Sequence, residues 1–339
     1  MKEKILAKDQ LSKFVEALMK NNTIFAPKKQ NGFFVFEEVA NPSEITLDYV
    51  NTKIPPKAIF FPQSEVLFKY KKTESGIEII EPETLPNQII FGIRPCDAKS
   101  FILLDKFLAA GKFQDSYYER RRKKTALIGL ACNEPRSTCL CTSVGGSPFS
   151  EEGLDVLLTN LGDKYLVKSI NAKGDQLIEP MGWLQDASEK NISNATELTK
   201  KALASIQKEI SLEGIEQRLE GCFGDEEFWL DYGLKCLGCG SCTFLCPTCH
   251  CFDVVDEELP DGTSGTRVRL WDTCQFPLFT LHGSGHNPRP SGFVRMRHRI
   301  NHKFNYYPKV LQEIGCVGCG RCIFGCPVNL DFRTVLEAK

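Results

Sequence analysis

Eight of the sixteen cysteines in this chain fall in two short runs with one spacing. Cys236, Cys239, Cys242 and Cys246 stand at offsets of three, three and four, followed by Pro247; Cys316, Cys319, Cys322 and Cys326 repeat the pattern 80 residues later, followed by Pro327. From the first cysteine to the proline the two copies agree at eight of twelve positions. Catalysis uses one or two cysteines, and disulfides do not persist in a reducing compartment. Metal binding is the chemistry that consumes cysteines in fours. Whatever else this chain folds into, it must bring two thiol-rich loops into a defined geometry.

Zinc and iron–sulfur clusters both take thiolates, so spacing is the discriminator. Structural zinc sites draw two ligands from each of two knuckles. The runs here are the C-x2-C-x2-C-x3-C-P pattern of two-cluster ferredoxins, in which three close thiolates hold one cube and the fourth ligates the other. The expected ligation is crossed. Cys236, Cys239, Cys242 and Cys326 would hold one [4Fe–4S] cluster, and Cys246, Cys316, Cys319 and Cys322 the second. Gly238, Gly240, Gly318 and Gly320 fit loops that bend tightly and bring backbone N–H groups toward sulfur. Structural zinc and a purely structural cluster pair are the alternatives.

The 339 residues are enough for two domains, and 42% hydrophobic with 25% charged residues permits ordinary globular packing. A net charge of −1 argues against a general nucleic-acid binder, and no apolar run reaches membrane-span length. The N-terminal "MKEKILAKDQLSKFVEALMKNN" reads as an amphipathic helix through Leu11, Phe14, Val15 and Leu18 rather than a signal peptide. A cytoplasmic location is expected.

The fold class expected is α+β, with a mixed α/β N-terminal domain over residues 1–220 and a mainly helical dicluster domain over 221–339. In the first, "NGFFVFEEV", "KAIFFPQSEVLFKY", "QIIFGI" and "TALIGLAC" read as strands, with a hairpin near 155–170 and a mostly helical connector over 186–219. Asp97 is the expected N-cap of a helix through Phe101, Leu104 and Leu108, and Cys96 just before it would gain thiolate character from the helix terminus. Cys96 and Cys132 each follow a strand, so with Cys139 and Cys141 they could converge at one sheet edge and hold a third [4Fe–4S] cluster. The alternatives are inert thiols or a reactive Cys139–Cys141 pair.

In the C-terminal half, "DEEFWLDYGL" and "YPKVLQEI" read as helices before the two runs. The insert between the runs carries Cys249, Cys251 and Cys274 with His250, His282 and His286; the three cysteines are candidates for an auxiliary metal site, buried thiols being the plainer reading. Cys222 has no partner pattern and reads as structural. From Gly265 to Lys309, Arg267, Arg269, Arg289, Arg295, Arg297, Arg299, Lys303 and Lys309 face one acid, Asp272. That excess suits cations beside reduced clusters or a basic surface steering an acidic redox partner. No G-x-G-x-x-G follows a strand, and there is no P-loop or hydrolytic triad. The chain therefore reads as a conductor of electrons with no substrate site of its own.

Taken in order, "FGIRPCDAKSFILLDKF", "DSYYERRRKKTALIGLACNEPRSTCLC", "CPTCHCFDV", "RLWDTCQF", "GHNPRP" and "CVGCGRCIFGCPVNLDF" resemble the β subunit of cytoplasmic sulfhydrogenases and the related A subunit of anaerobic sulfite reductase, from about Phe25 to Phe332. The resemblance implies an iron–sulfur electron-transfer subunit of a cytoplasmic, anaerobic oxidoreductase. It implies a partner that binds FAD and NAD(P)H and resembles ferredoxin reductases, and a catalytic subunit that is a hydrogenase, a sulfite reductase or another anaerobic enzyme. A ferredoxin is a further candidate partner. The competing functions are a redox enzyme acting directly on a small sulfur compound and a structural metal-binding scaffold.

Overall fold

The computed structural model describes residues 3–82, 85–206 and 209–338. Among the described residues twelve strands follow in chain order: β1 (Glu3–Ala7), β2 (Thr23–Gln30), β3 (Phe33–Glu38), β4 (Ser64–Thr73), β5 (Gly76–Ile80), β6 (Gln88–Ile93), β7 (Thr125–Leu130), β8 (Val156–Asn160), β9 (Lys164–Ser169), β10 (Gln185–Asp186), β11 (Phe252–Glu258) and β12 (Ser264–Trp271). Eight of them make one sheet in the order β10-β1-β9-β8-β7-β6-β2-β3. Its centre, β2-β6-β7-β8, is parallel and its flanks antiparallel.

Strands β6 and β7 are buried along their whole length, as "QIIFGI" and "TALIGL" require when both faces of a parallel sheet are covered. Their side chains divide between two cores by the two-residue period of a strand. Ile89, Phe91, Ala126 and Ile128 join Phe14, Val15 and Leu18 of the helix Leu11–Met19 on one face. Ile90, Ile93 and Leu127 join Phe101 and Leu104 of the helix Pro95–Leu104 on the other. The alternation skips a residue at Gly92, where the β6–β7 register shifts. Gly92 has φ +78°, and a Cβ there would meet Leu47 Cδ2 at 2.7 Å, so only glycine fits.

A second, antiparallel sheet runs β11-β12-β4-β5. It joins strands from both sides of residue 220, pairing Arg269 of β12 with Glu65 of β4. The hairpin β11–β12 is a departure from the sequence reading, which assigned no strand to the insert between the runs. "KAIFFPQSEVLFKY" also divides: Lys57–Phe60 is one helical turn, and the strand begins at Ser64. Mixed helices and strands nonetheless match the α+β expectation, with helices at Glu226–Gly233 and Tyr307–Leu311 ahead of the two cysteine runs. The connector is helical at Glu189–Ser205 and Ile215–Gly221; residues 207 and 208 within it lie outside the described residues. Among the described residues, no helix is long and apolar enough to cross a membrane.

The two halves interlock at the second cysteine run. Leu140 N–H donates to the Gly318 carbonyl at 2.8 Å, and Asn51 Nδ2 donates to the Cys319 carbonyl at 3.1 Å. Arg321, 3% exposed, makes a two-pronged pair with the fully buried Asp97 at 2.5 and 2.7 Å. Asp97 is therefore not an N-cap: the helix begins two residues earlier at Pro95, with Arg94 as cap. The carboxylate that sequence assigned to local capping is used across the molecule. Gly318 and Gly320 make this docking feasible, since a Cβ would lie 2.4 Å from Cys141 N and 2.5 Å from Thr138 Oγ1, respectively.

Candidate metal centre

Each cysteine run bends through two left-handed glycines and then a single helical turn, Ser241–Phe244 in the first copy and Arg321–Phe324 in the second. Backbone N–H groups turn toward sulfur: Gly318 N–H lies 3.4 Å from Cys316 Sγ, and Leu330 N–H 3.3 Å from Cys326 Sγ. The thiols then sort into two cavities. One is lined by Cys236, Cys239 and Cys242 of the first run together with Cys322 and Cys326 of the second. The other is lined by Cys316, Cys319 and Cys322 together with Cys246 of the first run. The last cysteine of each run thus lines the cavity of the opposite run.

A third cavity gathers Cys96, Cys132, Cys139 and Cys141. Parallel pairing of β6 and β7 explains the first two, because both strands end at the same sheet edge. The segment Pro135–Cys141 then folds back under Gly318 and delivers the other two. The cavities are consecutive: Cys322 lines the first and second, and Cys319 the second and third. Burial pushes the Cys96 thiol well up, the opposite of the thiolate character expected from its helix terminus.

The charge balance tests whether these cavities suit anionic iron–sulfur groups. Among the described residues seven Lys and Arg side chains are buried, Lys57, Arg94, Arg269, Arg295, Arg299, Lys303 and Arg321, against two acids, Glu65 and Asp97. Arg269 pairs with Glu65 and Arg321 with Asp97. The other five have no carboxylate partner among the described residues, an arrangement that costs several kcal/mol per ion unless another anion is present. All five are at the thiol-rich region. Arg299 lines both of the first two cavities, donating to the Cys242 carbonyl at 2.5 Å and reaching Cys249 Sγ at 3.3 Å. Lys303 lines the second and donates to Thr248 Oγ1, itself 3.2 Å from Cys246 Sγ. Arg94 lines the third. Lys57 donates to the Cys249 carbonyl at 2.6 Å, and an Arg295 guanidinium nitrogen lies 3.9 Å from where a Gly238 Cβ would be. Thiolate-bound cubes would supply the missing negative charge, so the residues present fit such groups.

Burial drives the Lys57 ammonium down to about 8. Burial also opposes the Lys303 charge, but Cys246 and Cys249 outweigh it and hold that ammonium above the ordinary lysine range. Lys57 and Arg94 come from the N-terminal half and escaped sequence reasoning; the signal for Arg94 was its place two residues before Cys96. Half of the basic stretch proves internal. Arg269, Arg295, Arg299 and Lys303 are buried, and Arg267 and Lys309 pair with Asp256 and Glu220.

Cys249, Cys251 and Cys274 divide into two neighbour pairs: Cys251 contacts Cys274, and Cys249 contacts Cys246. Among the described residues no group of three or more His, Cys, Asp or Glu side chains is arranged to hold a single metal ion. His250 lies tilted against Phe107 with ring centres 3.7 Å apart, and burial holds its imidazole down to about 4. His282 and His286 sit together on an exposed loop. Cys222 packs in the core with Leu219 and Trp229.

Two thiol-lined cavities built from interleaved cysteine runs define an iron–sulfur protein with a two-cluster domain, and a family profile described as a 4Fe-4S dicluster domain matches residues 235–330. Sulfhydrogenase 2 subunit beta of Pyrococcus furiosus is 33% identical over 333 residues, covering 98% of this chain and 96% of the relative. The chain belongs to the family of sulfhydrogenase β subunits. No solved structure matches it.

Proposed function

We propose that this chain is an electron-transfer subunit that relays electrons between a flavin- and NAD(P)H-binding subunit and a catalytic oxidoreductase subunit in the cytoplasm. Cys236, Cys239, Cys242 and Cys326 would hold one [4Fe–4S] cluster, Cys246, Cys316, Cys319 and Cys322 a second, and Cys96, Cys132, Cys139 and Cys141 a third. Bound there, such clusters supply one-electron redox chemistry. The work divides near residue 220: the N-terminal part contributes the third thiol set, and the C-terminal part the dicluster loops. FAD and NAD(P) belong to the partner in this reading.

The observation that supports it is the exchange of the last cysteines between the two cavities. Two independent structural zinc sites would have no need of that exchange. Around the thiols the chain does three things. Glycine-rich turns aim N–H groups at sulfur, buried Arg299 and Lys303 favour added negative charge, and apolar Ile300 and Phe332 between the first two cavities keep water out. The name of the relative, a sulfhydrogenase subunit, supports a multi-subunit setting.

The test is iron and acid-labile sulfide analysis of anaerobically purified full-length chain, with electron paramagnetic resonance after dithionite. About eight irons per chain correspond to two cubes and about twelve to three. Zinc without sulfide would overturn the reading.

A further inference from the structure

Beside the first thiol cavity lies a larger cavity of about 550 Å³ that neither the cluster ligation nor the relay uses. It sits between the β2–β3 hairpin and the two cysteine loops, and it touches Cys239. Cys239 is the one exposed cysteine among the sixteen. A ligand held here would meet the thiol of its site that is most open to solvent.

The lining specifies a chemistry. Phe33 and Phe324 are 48% and 65% exposed, large values for rings that line a cavity. Each carries a cation: Lys53 Nζ lies 3.8 Å from the centre of the Phe33 ring, and the Arg136 guanidinium 4.2 Å from that of Phe324. Neither cation has a carboxylate partner among the described residues. Aromatic faces favour a flat aromatic ligand, and unpaired cations favour a phosphate or carboxylate on it. Asn51 also lines this cavity; it is 6% exposed and is held by its Nδ2 donating to the Cys319 carbonyl at 3.1 Å, with its Oδ1 buried out of a ligand's reach. Small-molecule pockets run roughly 300–1,000 Å³, and this volume suits a mononucleotide-sized ligand.

We propose that this cavity binds a planar aromatic phosphate of the flavin mononucleotide class. Its ring lies against Phe33 and Phe324, and its phosphate on Lys53 and Arg136. The significance of the place, though not of the binding itself, rests on the reading of Cys239 as a cluster ligand.

The experiment is an anaerobic titration of the cluster-loaded full-length chain with FMN, read by flavin fluorescence, with riboflavin titrated in the same way and AMP added as a competitor of bound FMN. One FMN per chain is expected, with riboflavin and AMP each at least about tenfold weaker. Phe33→Ala, on the hairpin and away from the cysteine loops, and Arg136→Gln should each weaken FMN by at least about tenfold. Absence of FMN binding below about 1 mM overturns the site. So does equal binding of FMN, riboflavin and AMP, or binding that neither substitution changes. Iron content and the cubane signal are read on the same samples. Their absence from the wild-type chain would overturn the relay reading, independently of the flavin result.

Discussion

Replacing Lys303 with Met removes a buried cation beside the second thiol set, and the expected result is a more negative reduction potential for the centre held there. The Nζ donates to Thr248 Oγ1 at 2.7 Å, and that oxygen is 3.2 Å from Cys246 Sγ, so the charge lies no more than about 6 Å from the sulfur. At an effective dielectric constant of about 20, a unit charge at about 6 Å is worth roughly 2.8 kcal/mol, and at about 10 Å roughly 1.7 kcal/mol. The longer distance matters because an added electron is shared over a whole cube. For one electron, about 59 mV corresponds to a tenfold change in equilibrium constant, so the shift is roughly 70–120 mV downward. The sign follows from charge: reduction adds a negative charge, and the variant has lost the cation that favours it. The assay is a mediated redox titration followed by electron paramagnetic resonance, with Lys303→Arg as the charge-retaining control. A shift under about 20 mV, an upward shift, or an equal shift in Lys303→Arg would refute the electrostatic role of this lysine.

Cys319→Ala should remove about four irons per chain and block electron throughput, while the flavoprotein partner measured alone stays active; unchanged throughput would end the relay reading. Cys139→Ser should lower iron by about four only if the N-terminal thiols hold a cube, so an unchanged iron count would reduce that set to inert thiols. Asp97→Leu strands the Arg321 guanidinium and should destabilise the chain by about 3–5 kcal/mol, with Asp97→Leu/Arg321→Met recovering most of the loss in unfolding measurements. A double variant no better than the single one would show that the pair does not couple the two halves. Burial, aided by the Arg289 charge, holds the His298 imidazole down to about 4 from an ordinary 6.5. The folded state therefore binds fewer protons than the unfolded state between those values, and stability falls as pH drops through that window. His298→Gln should lose less melting temperature than wild type between pH 6.5 and 4.5; equal losses would contradict the assignment.

The cysteine spacing alone determined the chemistry. Thiolates at offsets of three, three and four, followed by proline and written twice, are a local pattern, and local patterns survive in a sequence. The buried strands "QIIFGI" and "TALIGL" were legible for the same reason, and with them the placement of Cys96 and Cys132 at one edge. What escaped was everything that depends on residues far apart in the chain. Asp97 looks like a helix cap because its intended partner, Arg321, is 224 positions away. Lys57 carries no signal within "PPKAIFF", yet it reaches the Cys249 carbonyl. The stretch from Gly265 to Lys309 left two readings open, cations beside clusters or a basic docking surface, because sequence counts charges without their depth. Burying a charge is costly wherever no opposite charge is near; the folded chain buries Arg295, Arg299 and Lys303 in the thiol-rich region, and only the tertiary structure could say which cations of the stretch go there.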